Sequence, residues 1–113
     1  MSIYFREYKE PEIMDNREII EKLIRYKKLV SAYFDIDKVV LYGSYAKGNQ
    51  NENSDIDVAI IVNSINKDFF SYAPILWKLR REIDDRIEPI LIEKNNDESG
   101  FLIEIMRTGL VIN

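Results

Sequence analysis

A chain of 113 residues with a formal net charge of -4, 46% hydrophobic and 32% charged, has the composition of one soluble globular domain. Residues 1–113 hold a single hydrophobic core with no room for a separate substrate domain. There is no cysteine and no histidine, which excludes disulfide frameworks, thiolate zinc sites, Ser-His-Asp and Cys-His hydrolases, HExxH zinc peptidases and zinc deaminases. Chemistry is left to carboxylates, hydroxyls, lysine, arginine and a hard metal. The acidic balance offers no general attraction to DNA or RNA, whose binding depends on Lys and Arg neutralising phosphates, so free nucleic acid is not the expected ligand.

Asp15 to Glu18 has capping-box spacing, and Ile20, Leu23, Ile24, Tyr26, Leu29, Val30, Tyr33 and Phe34 follow at helical spacing, predicting a helix from about Asn16 to Phe34. Lys38 to Tyr42 reads as a short strand entering a Gly43-Ser44 turn. Ser44 to Lys47 reads as one helical turn ended by Gly48, and Asn49 to Ser54 as an exposed loop. Asp55 to Val62 is a strand whose apolar run, Val58 to Val62, is far too short for a membrane span. The first residues lack the apolar stretch of a secretory signal, so a cytoplasmic location is the default expectation.

After a connection at Asn63 to Lys67 comes an amphipathic helix with regular geometry from about Ser71, which puts Pro74 in its first turn. Arg86 to Ile92 is a strand; Pro89 lacks a ladder donor, so the strand either lies at a sheet edge or begins late. Glu98 to Arg107 forms a short helix closed by Thr108-Gly109, and Leu110 to Ile112 is a terminal strand or docked tail. The alternation of helices and strands predicts an α/β (α+β) fold, a mixed β-sheet of about four strands with helices packed on it. The spacings of Trp77, Phe69, Phe70, Tyr72 and Phe101 fit core packing.

The chemistry concentrates in one stretch. Side chains two apart on a strand share a face, so Asp55 and Asp57 point the same way with Cα atoms ~6.6 Å apart. Two carboxylates so placed can share hard divalent cations, while Ile56, Val58, Ile60 and Val62 face a core. The Gly43-Ser44 turn offers backbone N-H groups and the Ser44 hydroxyl to a phosphate. Each feature alone is commonly a tight turn or a solvated pair; together they point to a metal-bound nucleotide.

Gly43-Ser44, ten residues, then Asp55-Ile56-Asp57 resembles the signature of the polymerase-β-like nucleotidyltransferase superfamily. Leu41 to Gly48 and Ser54 to Val58 look like its minimal stand-alone members, and the order of elements carries the likeness across most of the chain. The resemblance implies that Gly43 and Ser44 bind the outer phosphates of ATP and that Asp55 and Asp57 hold two Mg2+ ions. Such paired metals, ~3.5–4 Å apart, stabilise both the attacking and the leaving oxygen at phosphorus. The family's third carboxylate would be Glu88, as metal ligand or base, although many relatives place an aspartate there. Lys47 can reach a phosphate or remain solvated. Asp84 and Asp85 compete with Glu88 but fall at a helix end. Ser54 reads as a local cap, and Arg80 and Arg81 as a solvated helix face.

Similar minimal nucleotidyltransferases act as antitoxins beside HEPN-domain ribonuclease toxins, adenylylating a toxin tyrosine. The resemblance therefore implies AMP transfer from ATP to a protein hydroxyl. Alternatives are a module that neutralises its partner by docking alone and an aminoglycoside-type transferase, which would need more substrate-binding structure than this chain has room for. Apolar residues left exposed by the core would serve the partner or a homodimer seam.

Overall fold

The computed structural model describes residues 17–48, 54–64, 69–96 and 99–112, without the side chains of Lys47 and residues 69–72. Helix α1 covers 17–30. It is followed by β1 (Ile36–Tyr42), α2 (Ser44–Lys47), β2 (Ile56–Val62), α3 (Phe69–Leu79) with a 3-10 extension over Arg80–Glu82, β3 (Ile87–Glu93), α4 (Phe101–Thr108) and β4 (Leu110–Ile112). This is the predicted order. Asp15 of the capping box, the loop residues 49–53, the connection residues 65–67, Glu98 and the core placement of Phe69, Phe70 and Tyr72 lie outside the described residues and side chains.

The strands form one mixed sheet in the order β3-β2-β1-β4. β1 runs antiparallel to both β2 and β4, and β2 runs parallel to β3. The alternation along β2 sends Ile56, Val58, Ile60 and Val62 to one face, all fully buried. There they meet Val39, Leu41, Ile87 and Ile112 of the sheet, Leu23, Tyr26 and Val30 of α1 and Leu76 of α3. Burying side chains of this size stabilises the fold by roughly 1.5–3 kcal/mol each. The Tyr26 hydroxyl donates to the Leu76 carbonyl at 2.7 Å, pinning α1 to α3; burial pushes that phenol's pKa up. On the opposite face Val40, Ala59 and Ile61 pack beneath Ile105 of α4, with Tyr42 and Leu102 at the margin. Helices thus cover both faces, and the second core is the one that continues toward the aspartates. Among the described residues no helix is long and apolar enough to cross a membrane.

Element ends differ from expectation for local reasons. α1 stops at residue 30 rather than Phe34: the Ser31 hydroxyl bonds back to the Lys27 carbonyl at 2.6 Å, and Ala32 and Tyr33 donate to carbonyls three residues back. α3 starts at Phe69, so Pro74 lies within the helix rather than in its first turn; proline removes one helix bond, and burial of Leu76 in the core offsets that loss. α4 starts at Phe101, after Gly100 in a left-handed conformation, and closes where Gly109 donates to Ile105 at 2.7 Å. β3 is an edge strand, as Pro89 allows. Trp77 and Phe101 are not core residues; they stay 44% and 38% exposed, and the aromatic side chains buried in the described core are Tyr26 and Tyr45.

Candidate active site

At the end of β1 the chain turns through Gly43, with φ 74° and ψ -147°, a region essentially reserved for glycine. A Cβ built there would overlap the Asp57 carboxylate oxygen Oδ2 and lie 3.1 Å from its Cγ. The bare backbone of the turn is therefore what lets the Asp57 carboxylate lie against it. Ser44, partly buried, opens α2, and its carbonyl accepts from Gly48, which is left-handed as expected of the residue ending that turn.

Register brings the second and third elements of the site together. Tyr42 pairs with Asp57 across β1 and β2, and Asp57 pairs with Glu88 across β2 and β3. Residues directly opposite one another share a sheet face, so Tyr42, Asp57 and Glu88 form a row across three strands on the α4 side. Asp55 immediately precedes β2 and is exposed.

The acids act on one another. Burial, and then the charge of Asp55, raise the Asp57 carboxyl above the usual range. The Glu88 carboxyl is raised by burial, by the charges of Asp55 and Asp57 and by a shared hydrogen bond with Asp55, with Arg80 opposing. Burial, and then the charges of Asp57 and Glu88, push the Tyr42 phenol up. Tyr42 is also braced edge-on by Phe101 at 5.8 Å between ring centroids.

Asp84 belongs to a different assembly. Its Oδ1 accepts from the Arg86 backbone at 2.9 Å and from Nε at 3.1 Å, and its Oδ2 accepts from Arg86 Nη2 at 2.8 Å and Lys22 Nζ at 2.9 Å. That guanidinium fork, with Lys22, holds the carboxyl far below the usual range. Arg86 Nη1 donates to the Tyr45 hydroxyl at 2.9 Å. Asp85 and Arg81 are exposed. Arg80, expected in a solvated face, is instead fixed: Nη1 donates to the carbonyls of Asp85 and Ile87 at 2.9 Å each, and the guanidinium lies 4.6 Å from the Trp77 ring centroid. Lys47's side chain is outside those described.

For a divalent cation the donor chemistry fits. Asp55, Asp57 and Glu88 are hard oxygen donors; burial, and then the neighbouring acidic charges, raise the carboxyl pKa values of Asp57 and Glu88, a cost that a cation would relieve. Among the described residues, no three of these acids are gathered into a ready-made cage. Glu88 is within hydrogen-bonding reach of Asp55, while the Asp57 carboxylate lies against the Gly43 turn.

With this geometry in place, the model of the family described as "Polymerase beta, Nucleotidyltransferase" matches residues 17–113. The chain belongs to that nucleotidyltransferase family. It is 33% identical over 99 residues to a Methanocaldococcus jannaschii protein named "Putative protein adenylyltransferase", covering 84% of this chain and 99% of the relative. A second protein of that organism with the same name is 40% identical over 100 residues, covering 83% and 93%. A solved nucleotidyltransferase-type structure from Sulfolobus solfataricus, "putative" in its own description, superposes with TM-score 0.63 at 17% identity, covering 88% of this chain and 84% of the other. A chain from a toxin-antitoxin crystal structure with AMP-PNP gives 0.58 at 23% identity, covering 83% and 72%. The fold of this nucleotidyltransferase is thus shared with both solved structures.

Proposed function

We propose that this nucleotidyltransferase is a magnesium-dependent adenylyltransferase that moves AMP from ATP to a hydroxyl of a protein, namely a tyrosine of a HEPN-type toxin, and so serves as the antitoxin of the pair. The observation that carries the reading is the approach of the Asp57 carboxylate to a turn that only glycine can form, with Glu88 beside Asp57 on the next strand. The names of the M. jannaschii relatives support a protein acceptor. A neighbour in a toxin-antitoxin structure with AMP-PNP supports the partner and the nucleotide.

In this scheme Gly43 and Ser44 bind the outer phosphates. Asp55 and Asp57, with Glu88, would hold Mg2+, whose chemistry is to stabilise charge on the phosphoryl oxygens. Glu88 also accepts the proton of the attacking hydroxyl, for which a raised carboxyl pKa is suited. The tyrosine oxygen then bonds to the α-phosphorus as the bond to pyrophosphate breaks. Lys47 is assigned to the phosphates from its place one turn beyond Ser44. Residues 1–113 act as one domain, with the acceptor supplied by the partner.

The test is incubation with α-labelled ATP, Mg2+ and a HEPN-domain toxin. Label is expected on a toxin tyrosine with wild-type protein and is lost with Asp57→Ala, at an unchanged melting temperature. Equal labelling by Asp57→Ala contradicts the mechanism, and binding that inhibits the toxin without label contradicts the transfer.

A further inference from the structure

We propose that Arg86 is a positioning residue for the transfer site, tying the turn that carries Ser44 to the strand ends that carry Asp55, Asp57 and Glu88. This deepens the function proposed above and rests on it. The sheet ladder fixes Asp57 against Glu88, since both lie in paired strands. It does not fix Ser44, which lies beyond the end of β1 in the four-residue helix α2.

Arg86 spans that gap. Its guanidinium donates to the hydroxyl of Tyr45, the residue after Ser44, across 41 positions of sequence. Its backbone carbonyl accepts from Ile56, the residue between the two aspartates, at 2.8 Å. Glu88 follows two residues later, in β3, which begins immediately after Arg86.

The side chain is itself held in place. Asp84 takes the Arg86 backbone N-H and two guanidinium nitrogens, and Lys22 of α1 reaches the same carboxylate. Asp84 is 11% exposed at its side chain and Arg86 32%, so the pair is only partly screened by water. Tyr45 is 6% exposed and packs in the main core, while its hydroxyl accepts from Arg86, so Tyr45→Phe removes the bond and keeps the ring. A planar, forked guanidinium can hold Asp84 and Tyr45 at once, whereas the ammonium of lysine cannot reproduce both contacts. Since a misplacement of about 1 Å can cost a hundredfold in rate, a tie across this gap bears directly on turnover.

The experiment compares Tyr45→Phe and Arg86→Lys with wild type, with Asp57→Ala as the site control and exposed Arg107→Ala as the surface control. Melting temperature, Mg-ATP affinity by calorimetry, and kcat and KM of AMP transfer are read for each. Tyr45→Phe should remain folded yet bind Mg-ATP about tenfold more weakly, with KM rising in parallel, and Arg86→Lys should also lower kcat. Arg107→Ala should match wild type. If both variants melt lower but bind and turn over as wild type does, the residues serve stability alone and the inference is overturned. If wild type and Asp57→Ala bind Mg-ATP equally and neither transfers AMP, the proposed function fails instead. If Arg86→Lys fails to fold, Tyr45→Phe decides: weakened Mg-ATP binding by the folded variant supports the inference and wild-type binding overturns it.

Discussion

Gly43→Ala separates backbone cost from site cost. Placing a side chain at φ 74° and ψ -147° costs on the order of 1–3 kcal/mol, because that region is open essentially only to glycine. The new methyl would also overlap Asp57 Oδ2 and come within 3.1 Å of Cγ, so the carboxylate must move or the turn must open; overpacking of this kind costs roughly 1–3 kcal/mol more. The sum is about 2–6 kcal/mol. At roughly 4 °C per kcal/mol for a domain of this size, the melting temperature should fall by about 8–24 °C. Gly48→Ala is the matched control: φ is 79°, but among the described residues, its chain neighbours apart, no atom lies within 4 Å of the added Cβ. Only the left-handed cost of about 1–2 kcal/mol applies there. Thermal melts and AMP transfer, assayed well below both melting points, distinguish the two. Gly43→Ala should lose about a hundredfold or more in transfer through displacement of Asp57, while Gly48→Ala melts only slightly lower and keeps transferring. Equal losses of activity in the two variants would refute the steric reasoning.

Glu88→Gln should still bind Mg-ATP but transfer AMP at least a hundredfold more slowly, since the amide cannot take the proton; undiminished turnover would remove Glu88 from that role. Asp84 sets an acid limit on stability. Its folded carboxyl lies below the unfolded value of about 3.9, so its contribution is present above that value and is lost as pH falls toward the folded one. Asp84→Asn should therefore be less stable at pH 7, by about 2 kcal/mol for a partly exposed pair, and the gap to wild type should narrow as pH falls below about 4. A gap that is constant with pH would mean the ion pairs do not carry the effect.

Much of the fold follows from short-range signals. The period-two run from Ile56 to Val62 and the Gly43 and Gly48 punctuation around Ser44 to Lys47 are local, and the corresponding elements form as read. Helix ends were less legible, since Ser31 competes for a backbone carbonyl through its own hydroxyl and Pro74 is tolerated inside α3 because the helix is anchored by tertiary packing. The strand order could not be read, because pairing partners come from distant segments.

In the site, Asp57 lies against Gly43 and pairs with Glu88, whereas Asp84 is bound by Arg86 and Lys22. Tyr42 had a readable signal, as the strand residue just before the Gly43 turn. The Tyr45 to Arg86 contact had none, since nothing local links residues 41 positions apart. Arg80 was misread because its partners are backbone carbonyls of a later turn, which leave no pattern in the side-chain sequence.

Calorimetry of ATP binding with and without Mg2+, on wild type and on Asp55→Asn/Asp57→Asn, tests the central claim most directly. The account predicts that chelator weakens wild-type binding sharply and that the double variant binds weakly whether or not Mg2+ is present. Equal affinity of wild type with Mg2+ and in chelator would contradict it.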